Sequence, residues 1–384
     1  GCLQEAGLLA GVCNDDRGTG EVCCGFGIRY NQMNNLTILV TACGSPGAIG
    51  LFKSLKSNGE REIKIIGTDM NPNAIGLFLA DKGYVVPPTD TEEYLPEIFE
   101  IIKEEEVSLI IPNGALEVFS KNIQKFEEIG VKVLVSKEEA LKIALNKGKL
   151  FSFLHKRGIP TPEYIAVNEG NKFENAVYKL GYPENPVCFK PAVSEGTRGF
   201  RILREDVNRL DLLLNTKPDS TITTLDEVLN VLKAVNSFPE LLVMEYLPGK
   251  EYSVDILVKE GEALITLPRV REKVDLGLST VGLVENNKEI VKICEQVARE
   301  LNLDYNINIQ LKFSHEMIPK IIEVNPRISG TIVLCAGSGV NLPYFAVKMA
   351  LGEEISQIKP RYGTRMIRYW SEVFIDEDRH SFTL

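Results

Sequence analysis

The sequence predicts an α/β chain: an N-terminal doubly wound parallel sheet, followed by an α+β region of two lobes. Three observations carry this reading. Between Asn35 and Ala144, buried apolar strands alternate with helical patterns. Beyond Asn146 the strands lengthen and alternate apolar with polar residues, the texture of antiparallel sheet. The composition, 44% hydrophobic and 25% charged over 384 residues, suits a chain that buries a full core.

The elements follow in order. Residues 1–34 show neither structural period and are expected to lie outside the fold, as a leader or extension. The domain 35–145 starts with the run TILVTAC (37–43), then the turn GSPGAIG and an amphipathic stretch through Leu55. IKIIGTD (63–69), VSLIIP (107–112) and VKVLVS (131–136) supply further strands, with helices expected over Glu92–Lys103 and Leu116–Glu128. A first lobe, 146–240, opens with a helix stopped by Gly158 and two prolines. It continues with strands at 187–191 and 200–204 around a polar loop, then one or two helices over 205–238 jointed at Thr216–Thr223. The second lobe with its C-terminal extension, 241–384, holds strands at 241–247, 251–258, 262–270, 305–313 and 317–326 and a helix Lys288–Leu301.

Several functions are excluded early. A net charge of −10 lacks the basic footprint that non-specific nucleic-acid binding needs. No apolar run reaches the roughly 18 residues that span a bilayer, and no basic stretch with an apolar core opens the chain. A soluble, cytoplasmic protein with no membrane partner is therefore expected. Cys2, Cys13, Cys23 and Cys24 lack the spacing and histidine partners of a zinc site. With His155, His315 and His380 as the only histidines, no Ser/His/Asp or Cys/His constellation forms.

Five clusters remain as candidates for chemistry. GSPGAIG followed by Asp69 has the outline of a dinucleotide turn, but its glycine spacing is wrong, and a plain tight βα turn fits better. In PVCFKPAVSEGTRGF, Lys190 on a strand precedes a loop with Thr197 and Arg198. Small residues there let main-chain N–H groups reach a phosphate, although a flexible hairpin is an equal reading. MEYLPGKEYSVD ends a strand at Glu245, Tyr246 and Leu247. Its exposed main chain could read a base edge, and Glu251 could take ribose hydroxyls; an ordinary hairpin with surface acids is the alternative.

The fourth cluster is sharper. In IIEVNPRISG, Glu323, Asn325 and Arg327 share one strand face, and a tight turn would set Gln310 about two positions diagonal to Glu323. These oxygens are hard ligands, suited to Mg²⁺ or Mn²⁺. Arg327 beside them could neutralise a transferring phosphoryl group. In the fifth cluster Arg269, Arg271 and Lys273 alternate onto one face, either solvated or clamping a carboxylate or acyl phosphate.

Taken together, the Lys190 loop, the Glu245–Glu251 hinge and the Gln310/Glu323–Arg327 hairpin resemble the ATP-grasp superfamily. The carbamoyl-phosphate-synthetase large-subunit-like members are most similar, through the signatures GIPTP and EVNPR, and the likeness runs from about residue 35 to 350. The resemblance implies a pre-ATP-grasp domain (35–145), a small central lobe (146–240) and a large lobe (241–384), with ATP between the lobes. It implies nucleotide roles for Lys147, Lys190, Thr197, Arg198, Glu245, Tyr246, Leu247 and Glu251, and magnesium (or manganese) ligation by Gln310, Glu323 and Asn325. Arg327 would face the γ-phosphate and acyl phosphate. Asn146 stands where many members carry Asp. The implied activity is a Mg-ATP-dependent carboxylate–amine ligase acting on small molecules, with a homodimer as a family expectation. A bicarbonate-phosphorylating enzyme and a non-catalytic ATP-binding regulator are the alternatives. The resemblance implies two ATP-grasp halves and a glutaminase for full carbamoyl-phosphate synthesis, which is therefore not expected of one set of motifs.

Overall fold

The computed structural model describes residues 35–194, 198–215, 221–275, 277–356 and 358–382. The expected leader, 1–34, and Thr197 therefore lie outside the described residues. Five parallel strands build the first sheet: β1 (Leu36–Val40), β2 (Ile63–Asp69), β3 (Lys82–Val85), β4 (Leu109–Ile111) and β5 (Lys132–Val133). Their order is β3-β2-β1-β4-β5, so the winding reverses at β1. The sequence reading omits β3, because Lys82-Gly83-Tyr84-Val85 is a short, largely exposed edge strand without an apolar run. The single helix expected over 116–128 is broken into Leu116–Lys121 and Ile123–Glu128. Asn122 leaves helical geometry (φ −109°, ψ 14°), and its amide donates to the Val118 carbonyl at 2.8 Å, competing with the helix.

The second sheet has the order β6-β10-β7-β8-β9, from β6 (Tyr164–Val167), β7 (Val187–Pro191), β8 (Arg201–Leu203), β9 (Ile222–Thr223) and β10 (Leu241–Glu245). Here the structure corrects the sequence reading: β10, expected to open the second lobe, lies inside this sheet between β6 and β7. Its run LLVME is buried by neighbours on both sides, which pattern alone does not assign to either lobe.

The third sheet is antiparallel, ordered β15-β14-β11-β12-β13-β16. Its strands are β11 (Glu251–Lys259), β12 (Glu262–Asp275), β13 (Leu278–Val284), β14 (Tyr305–Phe313), β15 (Pro319–Asn325) and β16 (Arg365–Ile367). A two-residue turn with positive φ at Glu260 and Gly261 sets the β11–β12 register. The strand that carries Arg269, Arg271 and Lys273 continues as a hairpin, β12 into β13. Alternation divides this sheet cleanly. Tyr252, Val254, Ile256, Ile307, Ile309 and Leu311 pack against helices Lys147–His155 and Lys288–Glu300. On the opposite face, Leu257 and Leu267 join a core shared with Leu51, Leu55, Tyr344 and Val347, which docks the first domain onto the large lobe. Arg61 to Glu353 (2.6 Å) and Lys348 to Glu60 (2.8 Å) reinforce that junction. Among the described residues no helix is long and apolar enough to cross a membrane.

Candidate nucleotide and phosphoryl site

A cavity of about 780 Å³ opens between the second and third sheets, where β7 and β10 face β11, β12, β14 and β15. Lys147 and Lys190 enter from the small-lobe side. Asn146 caps the helix Lys147–His155 through its side-chain oxygen, accepting from the Lys149 N–H at 2.9 Å. That cap sets Lys147 at the helix start, almost fully buried. Its ammonium donates to the Ser194 carbonyl (2.7 Å) and lies 3.4 Å from a Glu323 oxygen.

Lys190 sits on β7 beside Cys188, both turned to the cavity, while Val187 and Phe189 pack into the small-lobe core. Its ammonium donates to the Ile322 carbonyl at 3.1 Å and lies 5.7 Å from the Phe151 ring centre. That carbonyl is available because β15 bulges there: Leu311 pairs with Ile321 and Gln310 with Glu323, leaving Ile322 as the extra residue. The bulge also corrects the expected register. Gln310 stands directly opposite Glu323, not diagonal to it.

The electrostatics follow from this crowding. Burial and then Lys147 push the Lys190 ammonium down to about 8, against the opposing pull of Glu323. Burial would raise the Glu323 carboxyl, but Lys147 and Lys190, with a hydrogen bond from Asn325, hold it below the usual carboxylate range. A carboxylate and two cations drawn from distant sequence thus meet in one partly enclosed space.

Glu245, Tyr246, Leu247 and Glu251 line the same cavity, as do Arg198, Arg271 and Gln310. The Glu245 carboxylate accepts from the Glu163 N–H (2.8 Å) and pairs with Lys320, so its side chain anchors the hinge. The main-chain groups of Tyr246 and Leu247 make no hydrogen bond among the described residues, and Pro162, Phe200 and Met244 add apolar lining to the same cavity. Glu251 is ion-paired with Arg271, whose guanidinium also donates to the Gln310 oxygen (3.2 Å), the Ser279 hydroxyl (3.0 Å) and the Gly277 carbonyl (2.5 Å).

Three predicted residues are not in the cavity wall. Asn325 is a side-chain hydrogen-bond partner of Glu323. Arg327 opens the turn after β15 and donates to the Ile328 carbonyl at 3.0 Å. Arg269, read with Arg271 as a clamp, is instead sealed in the protein at 1% exposure, paired with Asp255 at 2.5 Å. Its face is right, but two residues before Arg271 on β12 that face is covered. Conversely, Cys188 and Lys312 were missed, although each follows by strand alternation from Lys190 and Gln310. Cys188 donates to the Glu245 carbonyl at 3.4 Å, and burial pushes its thiol up to about 12, leaving it inert.

The glycine turn of the first domain holds no nucleotide geometry. Both oxygens of Asp69 are taken by main-chain N–H groups, of Gly44 (2.8 Å) and Asn71 (2.9 Å). A Cβ on Gly47 would stand 2.9 Å from the Gly330 Cα, so close packing on the large lobe explains that glycine. Among the described residues no three His, Cys, Asp or Glu side chains gather as a metal cage. One carboxylate with amide oxygens nearby does suit Mg²⁺, which takes few protein ligands and completes its shell with water and phosphate.

Comparisons with known proteins agree with this geometry. Residues 237–372 match the family model "ATP-grasp in the biosynthetic pathway with Ter operon", and residues 38–134 match "PylC-like, N-terminal domain". The chain is 22% identical over 317 residues to the carbamoyl phosphate synthase large chain of Clostridium acetobutylicum, covering 79% of this chain and 27% of that relative's length. The biotin carboxylase domain of 2-oxoglutarate carboxylase from Hydrogenobacter thermophilus, solved with MgADP and bicarbonate, superposes with a TM-score of 0.61 at 17% identity, over 85% of this chain and 72% of that one. N5-carboxyaminoimidazole synthetase from Staphylococcus aureus, solved with ADP, gives 0.62 at 12% identity, over 85% and 80%. The fold, the order of its motifs and the matching models agree on an ATP-grasp region over residues 237–372, preceded by a PylC-like N-terminal domain.

Proposed function

We propose that this protein uses Mg-ATP to activate a small carboxylate as an acyl phosphate and transfers the acyl group to an amine. The observation that carries the reading is the meeting of Lys147, Lys190 and Glu323 beside the unpaired main chain of Tyr246 and Leu247. Tyr246 and Leu247 read the adenine edge between apolar walls, and Glu251 faces the ribose. Lys147, Lys190 and Arg198 hold phosphate oxygens; a phosphate beside Lys190 keeps its ammonium charged at neutral pH. Glu323, Asn325 and Gln310 would hold Mg²⁺, which would supply positive charge beside the phosphates. A substrate carboxylate oxygen attacks the γ-phosphorus and ADP leaves. The amine nitrogen then attacks the acyl carbon, inorganic phosphate departs and the amine gives up a proton. Arg327 and Arg271 balance negative charge at these steps, chemistry that rests on positioning and charge and not on a protein base.

The test is phosphate release from Mg-ATP across panels of carboxylates and amines. Release that requires both supports the ligase, release with bicarbonate and no amine supports bicarbonate phosphorylation, and nucleotide binding without release supports a regulator. Glu323→Ala should lower release at least about 100-fold, the scale of losing a main electrostatic contact to the transition state. Unchanged turnover in that variant would remove the assignment.

A further inference from the structure

Arg269 is the largest fully buried side chain of the described residues, and the reading above gives it no task. Its guanidinium does more than neutralise Asp255. One amino group donates to the Thr331 hydroxyl; the other reaches the hydroxyls of Ser329 (3.0 Å) and Ser253 (3.2 Å). Asp255 is held in turn by the Asn308 amide (2.9 Å) and the Cys335 thiol (3.1 Å), and Asn308 sits directly opposite Asn325 in the β14–β15 ladder. The cluster therefore ties three floor strands to one turn, Ile328–Ile332, which begins immediately after Arg327.

That turn is gripped from two other sides. Arg368 donates to the Gly330 carbonyl, and the first domain's glycine turn packs so closely that a Cβ on Gly47 would stand 2.9 Å from the Gly330 Cα. A buried guanidinium has five N–H donors to satisfy, and two of the hydroxyls that do so, those of Ser329 and Thr331, belong to the turn after Arg327. A planar fork that bridges an acid and two hydroxyls sets the position of whatever carries those hydroxyls.

We propose that Arg269 is a positioning residue for Arg327, acting through Ser329 and Thr331, so that Arg327 is aimed at the terminal phosphate without itself being packed. The inference rests on the reading of Arg327 as the γ-phosphate arginine. The experiment compares Mg-AMPPNP with MgADP by calorimetry, because the difference between the two isolates contacts to the terminal phosphate. Arg327→Met should lower the preference for Mg-AMPPNP about tenfold, the scale of one charge-assisted hydrogen bond. The double variant S329A/T331V keeps the Asp255–Arg269 pair, so it should fold; it should lose a similar preference while MgADP affinity stays within about twofold. Arg269→Lys, if it folds, should behave like the double variant. Full preference in S329A/T331V alongside its loss in R327M would overturn the proposal, since Arg327 would then need no support from the turn. A preference untouched in R327M would overturn it through the role given to Arg327. A wild-type chain that binds neither nucleotide would instead sink the functional reading itself.

Discussion

Two clusters of the same composition lie side by side on one face of β11, β12 and β14. One is Arg269, Asp255 and Asn308; the other is Arg271, Glu251 and Gln310. Each joins an arginine, a carboxylate and an amide from the same three strands, and the two flank Ser253. In the first, the ion-paired side chains are 2% and 1% exposed; in the second, 7% and 21%. Along this face the surroundings change from the apolar core at Leu257 and Leu267, through the sealed cluster, to the open cavity. The lesson is that residue type sets which partners a charge seeks, and cover sets whether the result is a strut or a site. In a third cluster, at the edge of the first sheet, a buried Glu105 meets the half-exposed Lys64 and Lys82.

The series can be broken at its sealed end first. Asp255→Ala leaves Arg269 charged and unpaired in the core and should destabilise the protein by about 3–5 kcal/mol in chemical denaturation. Replacing both partners with apolar residues of similar volume should recover much of that loss. At the open end, Lys190→Ala should weaken MgADP binding by about 10- to 100-fold in calorimetry, with a much smaller change in stability. Glu251→Ala should alter stability by less than about 1 kcal/mol, because its partner remains near the Gln310 and Gly277 oxygens. The same variant should lower MgADP affinity about tenfold, and equal affinity would separate the open cluster from the nucleotide.

At the surface the effect is smallest and depends on pH. Hydrogen bonds from Lys64, then Lys82 and Tyr84, hold the Glu105 carboxyl down at about 2. A carboxyl depressed in the folded state adds stability above its ordinary range and loses it as pH falls through the folded value. The difference between wild type and Glu105→Gln in thermal unfolding should therefore be under about 1 kcal/mol near neutrality, since both lysines are half-exposed, and should fade between about pH 5 and 2.

Much of this was legible in the chain. The strands of the first domain other than β3 follow from apolar runs, and ten of the predicted site residues line one cavity. The residues that escaped did so for local reasons. Lys82–Val85 has no run to betray it, Asn122 breaks a helix by a single side-chain bond, and the Ile322 bulge shifts a register that alternation would have continued. Arg269 and Arg271 cannot be told apart by pattern, because both obey the same period on the same strand.

Periodicity, turn chemistry and the order of polar residues along strands are properties of neighbours in the chain, and these the sequence determined alone: the layered architecture, the face on which each charge lies, and the oxygen-rich character of the late hairpin. Which charges are covered was decided only by the packing of distant segments. The turn from Ser329 and the short helix that carries Cys335 seal Asp255 and Arg269, while the small lobe stands back from Glu251 and Arg271 and leaves room for a ligand. Solvent access at Arg269 and Asp255 depends on atoms 60 to 80 positions away, and no local pattern records it.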